Sequence, residues 1–354
     1  MELFIAGGVG EHGRNCFYVQ TETLCFLVDC GKKVDSPEDP YPRLTQEQIK
    51  NLDVLFITHS HNDHAGAIPW LYENGFQGAV IATEETLRQL SFTVQNEYIL
   101  NKLCPNGRGH FQQLLVQWGR SGHCAGGVWY HFSEKNSSIL FSGDYTENTQ
   151  IYVCDVLRGQ QADVAVLDCA YGKNEINYTG ACERLVVKTK ELLLKHKLVL
   201  FTVPKYGRGL EILKIFTKYL NNNFYYADNH FLQSIAELNH GGFWYKQNKI
   251  STSIQPYCGQ SSGIIFVSDP QLRSSSAQNM AEQVLSMGGI VVMTGTVEKG
   301  SYSEALLQNG NMVFLPYPVH LNYAQFRQLE SQNNFIKTIP YHSKDFTSVP
   351  RICF

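Results

Sequence analysis

The sequence predicts an α/β protein of two domains, one built of two sheets with helices packed outside them and the other of a parallel sheet. Three observations predict it. Short β-type runs alternate with turns and helical patterns up to about residue 172. A βαβ rhythm sets in past residue 180. The strand-like runs of the first part end in polar residues, as strands do when a site gathers at one edge of a sheet. A chain of 354 residues, 43% of them hydrophobic, is long for one simple domain and has enough apolar residues for two cores.

Taken in order, LFIAGG, NCFYVQ, LCFLVDCG, VLFITH, AVIATE, GVWYHF, SSILFSGD and VAVLDCAYG read as strands, and EETLRQLSFTVQNEYILNKL, residues 84–103, as a helix among them. CERLVVKTKELLLKHK then has apolar positions at helical spacing, LVLFTVP is a buried strand, and GLEILKIFTKYLN is a second helix. FYYADN, the helix HFLQSIAELNH, the strand GIIFVSD, the helix AQNMAEQVLSMG and the strand IVVMTG continue the alternation, which implies parallel pairing. From about residue 311, NMVFLPYPVH, the helix NYAQFRQLESQ and FIKTIPYHS return to short strands that end in histidine. The SSG and SSS clusters within residues 261–276 read as loops. Lys188 and Lys190 belong to a solvated helix face.

Composition excludes some functions. The formal net charge is −3, so no global basic field advertises a nucleic-acid partner and any polyanion must be held locally. Ten cysteines are scattered without a CxxC pair and are expected to be reduced. The opening MELFIAGGVGEHGRN has no basic leader, and no window approaches the roughly 20 apolar residues that span a bilayer. A soluble, cytoplasmic protein is the expectation.

The chemistry concentrates in THSHNDHAGA, directly after VLFI. His59, His61, Asp63 and His64 stand on the expected turn between that strand and a helix opened by Ala65 to Leu71. Side chains one or two residues apart on a turn can converge on a point. Neutral imidazole is a good ligand for zinc-like ions, and carboxylate an acceptable one. Four donors in six positions can serve one ion or be split between two. The competing reading is a solvated turn whose histidines only form hydrogen bonds. A catalytic centre needs further ligands from other strand ends, and His123 in GRSGHCAGG and Asp144 ending SSILFSGD are placed to supply them. Each is weak alone, since Gly-Asp after a strand is most often a plain turn.

With HxHxDH, the later SGH and FSGD together, the chain resembles the metallo-β-lactamase superfamily. GGVGEHGRNCFYVQTETLCFLVDCG looks like that superfamily's opening hairpin, ending in Asp29-Cys30-Gly31. A finer resemblance is to its β-CASP branch, which includes ribonuclease J, the mRNA 3′-end cleavage nucleases and DNA-repair nucleases. VLDCAYG, TVPKYGRGLEIL, VVMTGTVEKGSYSEALL, PYPVHLNYAQF and IKTIPYHSK match its successive motifs. The chain departs from the branch in Asp168-Cys169-Ala170 for Glu-Ser-Thr, in Pro318-Val319 for Ser-Ala before His320, and in Ser343-Lys344 for Gly-Glu after His342.

The resemblance implies an αββα metallo-β-lactamase sandwich with an inserted β-CASP α/β cap, divided as 1–175, 176–310 and 311–354. It implies two Zn²⁺, with Mn²⁺ an alternative. One ion would be held by His59, His61 and His123, the other by Asp63, His64 and His342, with Asp144 bridging. A paired site can polarise a phosphoryl oxygen and hold hydroxide at neutral pH. His320 is then the proton donor to the leaving oxygen and Asp168 the group that fixes its ring; packed and capping roles are the competing readings.

Lys205, Arg208, Thr294, Gly295 and Ser301 are the expected contacts to the substrate backbone, and Tyr206 and Trp129 candidate base-stacking surfaces, although such aromatics more often pack in a core. His342, typical of the RNA-processing members at this motif, turns the expectation toward an RNA-cleaving phosphodiesterase with substrate in the interdomain cleft. A homodimer or partner subunit would supply further RNA affinity. The rivals are a DNA nuclease, a hydrolase of a small ester, and a non-catalytic subunit of an RNA-processing complex.

Overall fold

The computed structural model describes residues 1–33, 35–240, 242–246, 250 and 253–354. The chain divides into a first unit, Met1–Glu147, Cys154–Glu175 and His320–Phe354, and a second, Asn148–Val153 with Ile176–Val319.

The first unit holds two sheets. One runs Arg351–Cys353, Glu2–Gly7, Cys16–Gln20, Cys25–Val28, Val54–Phe56, Ala79–Ala82 and Glu97–Ile99, antiparallel as far as Cys25–Val28 and parallel beyond it. The other runs Asn334–Tyr341, Gln161–Asp168, Ser137–Phe141, Val128–Glu134, Leu114–Arg120 and Arg108–Phe111. Its first three strands are parallel and the rest antiparallel. Because strand side chains alternate, each sheet presents one face to the other and one outward. Phe17, Phe26 and Phe56 from the first sheet meet Phe132, Phe141, Tyr130 and Tyr341 from the second in edge-on and tilted contacts, forming the inner layer. Outside the first sheet, Leu27, Leu55 and Val80 pack with Ile49, Ala65, Ile68 and Leu71 of short helices. Outside the second, Leu140, Ala165 and Leu167 pack with Phe326 and Leu329 of the helix Tyr323–Ser331. Helix, sheet, sheet, helix is the resulting order.

The second unit is a wholly parallel six-stranded sheet in the order Ile254–Pro256, Tyr225–Ala227, Gly263–Val267, Leu198–Thr202, Ile290–Met293 and Met312–Phe314. Three central strands are buried throughout, as a parallel sheet covered by helices requires. The carboxylate of Glu211, 2% exposed on the helix Arg208–Tyr219, accepts from the backbone N–H groups of Gln150 and Ile151 and from the Thr149 hydroxyl. Tyr317 adds a longer contact at 3.4 Å. That one side chain clasps the short segment 148–153 into this unit.

Three expectations are corrected. The return segment starts at His320 rather than 311, because Met312–Phe314 pairs with Ile290–Met293 and so completes the second unit's sheet. Residues 84–103 do not form one helix. Helix Glu84–Gln89 ends at Leu90 in extended backbone, Asn96 turns through φ 48°, and Glu97–Ile99 adds a parallel strand beside Ala79–Ala82. The β-branched and aromatic residues of FTV and EYI favour that outcome over helix. The SSS cluster is a helix start: Ser274 accepts from the Ala277 N–H and caps Ser275–Ser286. Lys188 and Lys190 are exposed on the helix Tyr178–His196. Among the described residues, no helix is long and apolar enough to cross a membrane.

Candidate metal centre

Parallel strands bring their carboxyl ends to one edge, and in open α/β sheets that edge is where sites form. Cys25–Val28 delivers Asp29 there, Val54–Phe56 delivers Thr58 and His59, Ser137–Phe141 delivers Asp144, Gln161–Asp168 ends on Asp168, and Asn334–Tyr341 is followed by His342. Val128–Glu134 runs the other way, so His123, which precedes it, arrives at the same edge. The donors of HNDH are not held on a bare turn. His61 is the N-cap of a helical turn, Asn62–Ala65, that already contains Asp63 and His64, and a second helix, Ile68–Glu73, follows. Two glycines make room for this packing. A Cβ on Gly31 would lie 1.7 Å from the Asp63 carbonyl oxygen, and Gly143, at φ 55°, would place one 2.6 Å from that of Val128.

The seven expected ligands converge in two sets that share one residue. His59, His61, His123 and Asp144 form the first and Asp63, His64, Asp144 and His342 the second, with one donor atom from each residue lying within 4.8 Å of the others in its set. Asp144, 2% exposed, divides its carboxylate between them. Its Oδ2 lies 3.4 Å from His59 Nε2 and 3.5 Å from His123 Nε2, and its Oδ1 lies 3.1 Å from His64 Nε2 and 3.3 Å from His342 Nδ1. Asp63 Oδ2 is 3.0 Å from His342 Nε2.

The donor set fits divalent ions. Buried polar atoms normally find partners, yet His59 Nε2 and His342 Nδ1 are buried and make no hydrogen bond. Imidazole nitrogen and carboxylate oxygen without thiolate suit zinc or manganese. Burial, then the neighbouring charge of His64, pushes His59 down to about 3 despite Asp144, and burial holds His123 well below the ordinary histidine range, so both rings are neutral, the form a metal binds. For His64, burial opposes charge, but Asp144, Asp29 and Asp63 outweigh it and hold the pKa well above its usual value. The same competition, led by Asp144 against burial, raises His342 to about 10. A cation placed among these carboxylates would take the part those protons play.

A further layer orients the ligands. Asp29, also 2% exposed, accepts from the Thr58 N–H at 2.7 Å and the Thr58 hydroxyl at 2.8 Å, and its Oδ2 lies 2.7 Å from His64 Nδ1. A proton on Nδ1 leaves the Nε2 lone pair facing the centre, where the Asn15 amide nitrogen also lies 2.8 Å away. The Tyr341 hydroxyl donates to Asp144 Oδ1 at 3.2 Å. Sequence reasoning assigned no role to Asp29, Asn15 or Tyr341; the only signal was the polar residue ending LCFLVD.

His320 and Asp168 form a third grouping with Asp144 and His342. Asp168, fully buried, lies with Oδ2 3.1 Å from His320 Nδ1, and it accepts from the N–H groups of Tyr145 and Ala170. It therefore caps a turn and orients a histidine at once.

The expected substrate contacts fare unevenly. Lys205 is exposed, its ammonium 5.3 Å from the centre of the Tyr206 ring. Arg208 opens the helix Arg208–Tyr219 with its guanidinium where a Cβ on Gly295 would stand, 1.9 Å from Nη1. Arg208 Nε and the Thr294 hydroxyl are buried without a partner. Ser301 is committed elsewhere, accepting from the Glu304 N–H and donating to the Glu298 carbonyl as the N-cap of Tyr302–Gln308. Trp129, 8% exposed with its indole N–H donating to the Asp155 carbonyl, is a core residue and not a stacking surface.

Fold and donor set together define the class of two-sheet α/β proteins that carry a His/Asp metal centre at their strand ends. Residues 9–186 match the profile of the Metallo-beta-lactamase superfamily, and the chain belongs to that superfamily. Its relatives include "Transcription termination factor FttA" of Lokiarchaeum sp., 27% identical over 62% of this chain and 39% of that protein. "Probable RNase MJ4" of Methanocaldococcus jannaschii is 26% identical over 62% of this chain and 57% of that protein. "Endoribonuclease YSH1" of Candida albicans is 20% identical over 88% of this chain and 43% of that protein. The chain thus matches less than two thirds of the length of each of these relatives. The crystal structure of a protein of unknown function from Enterococcus faecalis V583 shares the fold with a TM-score of 0.60 at 13% identity, over 97% of this chain and 94% of that one.

Proposed function

We propose that the protein is a metal-dependent phosphodiesterase of the β-CASP branch that cleaves RNA, holding two zinc ions on the sets His59, His61, His123 and Asp63, His64, His342, with Asp144 between them. The observation that carries this reading is the shared Asp144 carboxylate, one oxygen turned to each donor set, beside a histidine held by a buried aspartate. Bound ions would supply Lewis acidity toward a phosphoryl group and activate water at neutral pH. The chain's own residues then do the rest. Asp29 and Tyr341 keep His64 and Asp144 in place. With Nδ1 held 3.1 Å from Asp168 Oδ2, His320 would give its Nε2 proton to the oxygen that leaves phosphorus, as a water oxygen bonds to phosphorus and the old P–O bond breaks. Arg208 and Lys205 are the proposed contacts to the RNA backbone, and a partner subunit or second copy would extend them. RNA is favoured by the names of two relatives, an RNase and an endoribonuclease. Ten free thiols suit the reducing cytoplasm.

The test is cleavage of end-labelled single-stranded RNA by the zinc-loaded protein, beside duplex DNA and thioester and lactam substrates. His61→Ala and Asp144→Ala are expected to abolish RNA cleavage. Activity undiminished in both variants, or faster turnover of the ester or DNA, would overturn the proposal.

A further inference from the structure

Two loops of the first unit face each other beside the second donor set. One is 8–14, between strands Glu2–Gly7 and Cys16–Gln20; the other is 342–346, after Asn334–Tyr341. The His342 N–H donates to the Gly8 carbonyl at 2.6 Å, and the Phe346 carbonyl oxygen lies 3.3 Å from where a Cβ on Gly10 would stand. Both loops are braced from behind. Arg14, 1% exposed, meets the Glu11 carboxylate at 2.8 Å and 2.9 Å and donates to the Asp39 and Tyr41 carbonyls. Across from it, Asp345 accepts from the Lys173 N–H, and its own N–H donates to the Ser343 hydroxyl.

This bracing holds two side chains to which the metal centre gives no task. His12 is partly buried with its ring edge-on to His342, the centroids 5.6 Å apart. It belongs to neither donor set, and its nitrogens make no hydrogen bond among the described residues. Lys344 is exposed two positions beyond His342, without an ion pair among the described residues. Asp63, which pairs with His342, has the more exposed side chain of the two acidic ligands, at 29% against 2% for Asp144. The buried ion pair fixes the loop that carries His12, whose ring packs on His342, and Lys344 follows that same ligand by two residues, so two donors without partners among the described residues flank His342.

We infer that His12 and Lys344 form a phosphate-binding rim beside Asp63 and His342, taking a non-scissile phosphate of the nucleic-acid backbone. Imidazole N–H and ammonium both donate, and one phosphate offers oxygens to both. The inference rests on the proposed phosphodiester substrate, and it adds the point at which the neighbouring nucleotide is gripped.

The test measures affinity apart from cleavage. Metal-loaded wild type, His12→Val, His12→Gln and Lys344→Ala are titrated with a short fluorescent 2′-O-methyl oligoribonucleotide, checked intact afterwards, at several salt concentrations; metal content and melting temperature are read on each. Lys344→Ala and His12→Val are expected to bind about tenfold more weakly with metal content unchanged, His12→Gln to recover part of the loss, and the Lys344→Ala salt slope to fall by about 0.7. Lys188→Ala, on a solvated helix, controls for bulk charge and should match wild type. A DNA oligonucleotide of the same sequence shows whether the grip is specific to RNA. Weakened affinity in the variants while the wild type cuts nothing keeps the rim and removes the nuclease reading. Affinity within twofold of wild type in both, while the wild type cuts RNA, removes the rim and keeps the reading. Loss of bound metal in His12→Val makes His12 a ligand and overturns the rim.

Discussion

Replacing Asp29 by Asn tests whether the metal centre depends on the layer behind its ligands. The carboxylate makes three contacts, two from Thr58 and one with His64 Nδ1, and its residue sits at φ 62°, which asparagine tolerates as well as aspartate does. Backbone strain is therefore not introduced. With the asparagine carbonyl kept on the Thr58 N–H, the amide NH₂ stands where Oδ2 was and donates to His64 Nδ1. That moves the histidine proton to Nε2, the nitrogen 3.1 Å from Asp144 Oδ1 in the second donor set. A ligand carrying its proton on the wrong nitrogen must change tautomer before it binds and gives up a charge-assisted hydrogen bond, about 1.5–3 kcal/mol. The expected result is a loss of about 10- to 100-fold in affinity for the ion proposed at the second donor set. Competition with a chromophoric zinc chelator, with metal content by mass spectrometry, reads this as one weakened site beside one that is unchanged. Two affinities both within threefold of wild type in a folded Asp29→Asn protein would refute the orienting role.

Other outcomes follow from the same geometry. His320→Ala is expected to lower kcat on RNA by about 10²- to 10⁴-fold while metal content stays at the wild-type level, measured under saturating substrate. Glu11→Gln removes one of the two carboxylates on the buried guanidinium of Arg14, leaving Asp39 Oδ2 at 2.8 Å, and is expected to cost about 1.5–3 kcal/mol in urea unfolding. Burial raises the Glu11 pKa, but Arg14 and Lys33 outweigh it and leave it below the ordinary carboxylate value. Its folded pKa being the lower one, the stabilisation is complete above the unfolded carboxylate range and disappears as pH falls through the folded value. The difference between wild type and Glu11→Gln should therefore shrink on the acid side. Gly295→Ala displaces only the end of the Arg208 side chain, so melting temperature should barely move while affinity for RNA falls several-fold in a filter-binding assay.

The donor cluster was legible because it concentrates imidazole and carboxylate against composition: three histidines and an aspartate stand within six residues. Asp144 and His123 carried little signal of their own and became readable only in sequence with that cluster. Asp29 did not, since a single aspartate closing a strand looks the same whether it ends a hairpin or holds a histidine 35 positions away. Strand membership was harder still. MVF reads as a strand from its residues alone, but which sheet it joins is decided by a partner, Ile290–Met293, that no local pattern names. The 84–103 stretch failed for a related reason: apolar residues at mixed spacing satisfy helix and strand alike until edge pairing decides.

The Glu211 clasp bears on any attempt to exchange pieces between relatives. Cutting out residues 176–319 as a cassette removes the carboxylate that Gln150 and Ile151 N–H groups and the Thr149 hydroxyl all use, and leaves segment 148–153 in the remainder with its donors turned to water. Grafts made at the two obvious seams would carry that frayed tether with them. A working chimera must transplant both stretches, or supply its own acidic residue to receive them.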